Sequence, residues 1–300
     1  MRWAFATFVA LLLVLTVYMS FRKKSPIPQT IWTYWHDSGK IPAVVQKCID
    51  TWQANNPNYR IVVLDNTKVK KMFGSSLKEM LPHVDLEKLN SEGNHQRAAD
   101  YARVLALCRF GGIWMDSSII CTSSLEWVQK AHTRTGAELV GFYAPHTTNK
   151  SFPILENWFF SCPPNSAFVQ DWLDEIRFMS SFRSESDYVE HVKRLGTIDM
   201  QDLEKSLPYL VMHLCATVVQ QKNPWKYNLH ITDSMKGPFR YLEARGWKLP
   251  DSFEALCSDA SLQTPIVKMR GTERIYLENH PVGCPSQNRH IRYVINSSPS

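Results

Sequence analysis

Residues 96–120 read QRAADYARVLALCRFGGIWMDSSII, and a pair of glycines divides the stretch into two kinds of structure. Before the glycines, the spacing predicts a helix over 96–110. Arg97, Asp100 and Arg103 fall three apart on one face, while Ala98, Ala102 and Leu105 lie opposite and can face a sheet. Gly111 suits the left-handed position that closes a helix, and Gly112 lets the chain reverse at once. The apolar run that follows, IWMD, reads as a strand with Asp116 at its carboxyl end. In open α/β sheets that is where loops form the ligand crevice. Two plainer readings compete. The charged face could be a solvated ladder of i,i+3 ion pairs, each worth roughly 0.2–0.5 kcal/mol, and Asp116 could cap a turn before Ser117.

Upstream, residues 30–35 (TIWTYW) read as a strand that ends in the turn His36-Asp37-Ser38-Gly39. Residues 44–55 place Val45, Cys48, Ile49 and Trp52 at helical spacing, and Asn55-Asn56-Pro57 stops them. The short apolar run 59–65 (YRIVVLD) follows, so strand, helix and strand form a βαβ unit, which implies a parallel sheet covered by helices. Residues 68–73 and 86–90 are weaker helical pieces. Downstream, residues 138–144 read as a further buried strand, and 153–161 are aromatic and apolar. A clear helix spans 166–180, with Phe168, Trp172, Ile176 and Met179 on one side. Residues 184–207 are polar and read as surface helix and loop. Residues 208–220 form an apolar helix candidate whose proline suits its first turn. Beyond them come short strands and loops without strong period, including PIVKMRG at 265–271.

Length and a hydrophobic content of 44% favour one large domain in the 300-residue chain. Residues 4–21 carry no charge or proline and are flanked by Arg2 and by Arg22, Lys23 and Lys24. As a helix they span roughly 27 Å, close to the hydrocarbon thickness of a bilayer. The exit lacks the small-x-small pattern of a cleaved signal peptide, which favours an uncleaved anchor. Basic residues after the span lean toward a cytoplasmic domain. The sequons at Asn149 and Asn296 lean toward a lumenal one, a type II arrangement as in the Golgi or endoplasmic reticulum. The formal charge of +6 falls to +2 once residues 1–24 are set aside, so a nucleic-acid-binding face is not indicated. Seven widely spaced cysteines show no metal-binding pattern, and either up to three disulfides or buried thiols fit them. Walker A, GxGxxG, HExxH and GxSxG motifs are all missing from the sequence.

The stretch QRAADYARVLALCRFGGIWMDSSI resembles the segment shared by DXD-motif glycosyltransferases, particularly capsular-polysaccharide-synthesis-like proteins and family 32 mannosyltransferase-like enzymes. IPQTIWTYW with CIDTWQANNPNYRIVVLD, and ILENWFFSCPPNSAFV, resemble further segments of those families in the same order, over residues 27–172. The resemblance implies a GT-A-like α/β fold with a mixed, mainly parallel central sheet flanked by helices, here preceded by one N-terminal transmembrane helix. It implies transfer of a hexosyl group from a nucleotide-sugar to a glycan or glycolipid hydroxyl, with a retaining outcome as in most such families. Asp116 would then hold Mn²⁺ or Mg²⁺, a Lewis acid for the departing diphosphate. Asp100 would accept hydrogen bonds from sugar or ribose hydroxyls, and Arg103 would pair with the pyrophosphate or hold Asp100. Trp32 or Trp35 would stack on the base, and Glu156 and Asn157 would point toward the donor sugar or the acceptor.

One residue departs from the pattern. A full D-x-D has a second carboxylate at 118, where this chain has Ser118, a weak ligand. Glu126, Asp171 and His213 are candidates to compensate. A sugar-binding member that has lost catalysis is the alternative reading. The organisation expected is an anchor at 1–24, a stem at 25–29 and a glycosyltransferase domain at 30–296. Within that domain 30–172 forms the donor half and 173–296 the acceptor half.

Overall fold

The computed structural model describes residues 25–280 and 282–296. The expected anchor at 1–24 lies outside the described residues, and among those described no helix is long and apolar enough to cross a membrane.

The first βαβ unit forms where the apolar pattern predicted it: β1 (Thr30–Tyr34), α1 (Ala43–Asn55) and β2 (Arg60–Leu64), with β1 and β2 parallel. Helices α2 (Asn66–Phe73) and α3 (Leu86–Ser91) follow, their first turns capped by the side chains of Asp65 and Asp85. Helix α4 (His95–Phe110) starts at Asn94, whose side chain accepts from the Arg97 amide, and stops at Gly111. The chain then enters β3 (Gly112–Met115) and, after a tight turn, β4 (Ile119–Cys121). Next come α5 (Glu126–Thr135), β5 (Leu139–Tyr143), β6 (Leu155–Cys162) and α6 (Ala167–Ser180), the last capped by Ser166. Helices α7 (Glu185–Leu195) and α8 (Val211–Lys222) precede β7 (Leu229–Asp233). The C-terminal part contributes α9 (Asp251–Ser258), β8 (Ile266–Lys268), α10 (Gly271–Asn279) and α11 (Arg289–Ile295). Short helical turns, left unnumbered, join some of these elements.

The main sheet has the order β2-β1-β3-β6-β5-β7. It is mixed, with β1 parallel to β2 and β3, β5 parallel to β7, and β6 antiparallel to both of its neighbours. Alternate residues send their side chains to two separate cores. Trp32, Tyr34, Trp114 and Phe160 pack on one side with α4, α6 and α8. Ile31, Ile113, Met115 and Phe159 pack on the other with α1, α9 and α11. The chain leaves β1 toward β2 on one side and returns to β3 on the other. This reversal opens a crevice at the carboxyl ends of β1 and β3.

The turn between helix and strand depends on its glycines. Gly111 has φ 62° and ψ −165°, a region open to glycine alone, and a Cβ there would lie 2.5 Å from the Pro164 nitrogen. Gly112 has φ 106°, and its Cβ would lie 2.6 Å from the Thr30 carbonyl oxygen. This close approach is what lets β3 lie directly beside β1.

A second, two-stranded ribbon joins β4 to β8 antiparallel, with Ile119 opposite Lys268. Helix α1 holds this ribbon in place. The Trp52 indole donates to the Ile119 carbonyl at 2.6 Å, the Thr51 hydroxyl accepts from the Cys121 amide at 2.9 Å, and Asn55 donates to the Cys121 carbonyl at 2.9 Å. Among the cysteines, Cys257 and Cys284 are paired in a disulfide and the other five are buried thiols. The outcome therefore lies between the two cysteine patterns that the sequence left open.

Candidate active site

A cleft of about 730 Å³ opens at the carboxyl ends of β1 and β3, a size suited to a small-molecule ligand. Asp116, Asp100, Arg103, Asn157, Glu156, Trp35 and Ser118 all line it. Trp32 does not. It sits within β1, buried against α4, stacks on Phe110 at 5.7 Å and donates from Nε1 to the Gly111 carbonyl at 2.9 Å. Its expected place beside a base is corrected accordingly: Trp32 faces the core from within β1, and of the two tryptophans it is Trp35, one residue past the strand, that reaches the crevice.

The charged face of α4 is no solvated ladder, because the helix is buried on nearly every side. The Asp100 carboxylate, 5% exposed, accepts from Arg97 Nη1 at 2.6 Å, Arg103 Nη1 at 2.7 Å and Asn157 Nδ2 at 3.0 Å. Arg97 reaches on to Glu185 on α7, with Nη2 3.0 Å from Oε2. Arg103 reaches forward, and its Nη2 lies 3.1 Å from Asp116 Oδ1. One guanidinium thus ties the helix carboxylate to the strand carboxylate, a forked geometry that lysine cannot supply.

The Asp116 side chain does not cap its turn either, since among the described residues its oxygens accept from side chains only. Oδ1 takes Arg103 and the Trp114 indole at 3.1 Å, and Oδ2 takes Lys268 Nζ at 3.0 Å. Burial pushes the Asp116 pKa up, but Lys268 and Arg103, with the Trp114 hydrogen bond, outweigh it and hold the group below its ordinary value. Lys268 Nζ also donates to Ser118 Oγ at 3.1 Å, and that hydroxyl donates to the Met269 carbonyl at 2.7 Å. Lys268 gave no signal to sequence reasoning beyond being a charged residue inside the apolar run PIVKMRG. It arrives through the β4–β8 pairing, which joins positions some 150 residues apart.

The far wall brings in residues that the sequence did not single out. Arg270 lies over the Trp247 ring at 4.5 Å and Arg274 over the Trp35 ring at 5.3 Å, and all four line the cleft. Each guanidinium also pairs with a carboxylate of α10, Arg270 with Glu273 and Arg274 with Glu278. Glu156 faces His213, with Oε2 3.7 Å from Nε2. Trp35, Arg103, Trp158 and His213 each hold a buried nitrogen without a partner among the described residues.

The expected divalent ion does not fit this donor set. Asp116 is the one carboxylate at the end of β3, both of its oxygens are engaged, and Lys268 bridges it to Ser118. An ion sharing Oδ2 with the ammonium would meet repulsion of about 4 kcal/mol per unit of ionic charge at about 4 Å and an effective dielectric near 20. The residues considered as substitute ligands do not repair this. Glu126 is exposed on α5 and pairs with Lys130, and Asp171 on α6 is bound by Lys226 and Tyr227; neither lines the cleft. His213 lines it but faces Glu156. Among the described residues no three histidine, cysteine, aspartate or glutamate side chains gather to hold an ion.

The chain is similar to several solved structures. PaToxG glycosyltransferase is 16% identical over 90% of this chain and 88% of that one, with a TM-score of 0.46. The ligand-free glycosyltransferase domain of the YGT toxin is 10% identical over 69% and 80%, with a TM-score of 0.42. An active-site mutant of LgtC is 13% identical over 81% and 87%, with a TM-score of 0.38. No curated protein matches the chain. The model of the capsular polysaccharide synthesis protein family does match, over residues 15–242. The charged helix, the double-glycine turn and Asp116 all fall within that span, and the chain belongs to the capsular polysaccharide synthesis protein family.

Proposed function

We propose that the chain is a glycosyltransferase that moves a hexosyl group from a nucleotide-sugar to a hydroxyl of a glycan or glycolipid. The observation that carries this reading is Asp116: a partly buried carboxylate at the β1/β3 crevice, joined by Arg103 to Asp100 and faced by a cation. Carboxylates and Asn157 suit sugar hydroxyls, the guanidiniums suit phosphate oxygens, and Trp35 and Trp247 offer flat faces for a base or sugar ring. In a retaining transfer the acceptor hydroxyl attacks from the face that the diphosphate leaves, and the departing phosphate takes its proton. No separate base is then required.

Residues 1–24 as a signal anchor and a lumenal, type II placement of the catalytic domain complete the reading. The Cys257–Cys284 disulfide supports an oxidising compartment. The test is to incubate the full-length chain with a panel of nucleotide-sugars and follow free nucleotide, with and without glycan and glycolipid acceptors. Release from one donor that rises with acceptor is the expected result. Binding without release across the panel would sink the enzyme reading, and release indifferent to acceptors would mean a hydrolase.

A further inference from the structure

The disagreement between Asp116 and a divalent ion points to a different source of positive charge. Lys268 is 8% exposed, yet it lines the cleft, its ammonium held 3.0 Å from Asp116 Oδ2 and 3.1 Å from Ser118 Oγ. An ammonium has three N–H donors. Two are used by these oxygens, and the third has no partner among the described residues. A lysine buried in an apolar strand is costly unless it is paired and hydrogen-bonded, and Asp116 and Ser118 supply that pairing. Ile119 opposite it and the Trp158 ring 6.0 Å from Nζ leave it little freedom to withdraw. Serine at position 118 also acquires a purpose. A carboxylate there would place two anions on one ammonium, whereas the hydroxyl accepts from Lys268, donates to the Met269 carbonyl and adds no charge.

We infer that Lys268 is the cation for the donor's diphosphate, taking the place that a metal ion holds in a D-x-D site, so that this chain binds nucleoside diphosphates without a divalent ion. The inference rests on the nucleotide-sugar reading above. In the transfer, the bond from the anomeric carbon to the β-phosphate oxygen breaks and its electron pair stays on that oxygen. The anomeric carbon bonds to the acceptor oxygen, and the acceptor's proton passes to the phosphate. Lys268 donates its third N–H to the oxygen on which charge develops. Arg103 stays on the two aspartates and fixes the position of the Asp116–Lys268 pair.

Calorimetric titration of the full-length chain with UDP, GDP, CDP and ADP, in excess EDTA and again in Mn²⁺, tests the inference. At least one nucleotide binds, with affinities in the two conditions within about threefold. In EDTA, Lys268→Met weakens that binding by about 30-fold or more, the usual scale for losing one member of a buried charge pair, and Lys268→Arg weakens it less. The wild-type comparison holds even if Lys268→Met is poorly folded, which its melting curve reports. Binding that appears only with Mn²⁺ overturns the inference and leaves the glycosyltransferase reading standing, as does a folded Lys268→Met that binds like wild type. Failure of all four nucleotides in both conditions overturns the nucleotide-sugar reading, and this inference with it.

Discussion

Asp116 carries more interactions than its place in the sequence announces. Three side chains meet its two oxygens, and their combined effect holds its pKa below the ordinary 3.8 despite burial. A carboxyl group that is more acidic when folded stabilises the fold above its unfolded value, and that contribution is lost as pH falls through the lowered folded value. Urea midpoints measured from about pH 7 down to about pH 3 should therefore show wild type ahead of Asp116→Asn at neutral pH. The gap should close only below the ordinary carboxylate range. A gap that widens in acid would contradict this charge assignment. Trp32 and Trp35 show what one residue can and cannot say. Both are aromatic and lie three residues apart, and where β1 ends separates the core side chain of Trp32 from the cleft side chain of Trp35.

Among the elements, the helix–glycine–glycine–strand passage sets the whole crevice. It was legible because glycine at positive φ and an abrupt change from helical to strand period are local features. Its backbone admits no substitute: Gly111→Ala meets the Pro163-Pro164 backbone, and Gly112→Ala meets the Thr30 carbonyl. Either change should cost at least about 2 kcal/mol, combining backbone strain with the clash. Equilibrium unfolding in urea checks this, and a loss below about 0.5 kcal/mol, the scale of an ordinary surface change, would refute it. The β4–β8 ribbon is the opposite case. β8 has three residues, too few for a period, and its pairing partner lies far back in the chain. Lys268 could be seen as a charge in an apolar run, but nothing local says that it meets Asp116.

For the molecule as a whole, the two cores follow from alternation along the strands of the sheet; the sequence showed β1, β2, β3 and β5 as strand-like runs, and the residues of β6 only as aromatic and apolar. The antiparallel placement of β6 between two parallel pairs did not show, because strand direction is decided by where the chain can cross, not by composition. The cleft likewise draws on both segments of the chain. Asp100, Arg103 and Asp116 come from the first, and His213, Lys268 and Arg270 from the second. If sugar transfer takes place in this cleft, it depends on Asp116 and not on an aspartate elsewhere. Asp171 serves as the comparison, being a charge-paired aspartate of similar exposure outside the cleft. Nucleotide release from the preferred donor, measured side by side for Asp116→Asn and Asp171→Asn, decides the matter. The expected loss is about 100-fold or more for Asp116→Asn, the scale of removing one preorganised charge from a reacting centre, with a change within about threefold for Asp171→Asn. Equal rates for the two variants, or an Asp116→Asn enzyme that turns over like wild type, would show that the chemistry lies elsewhere.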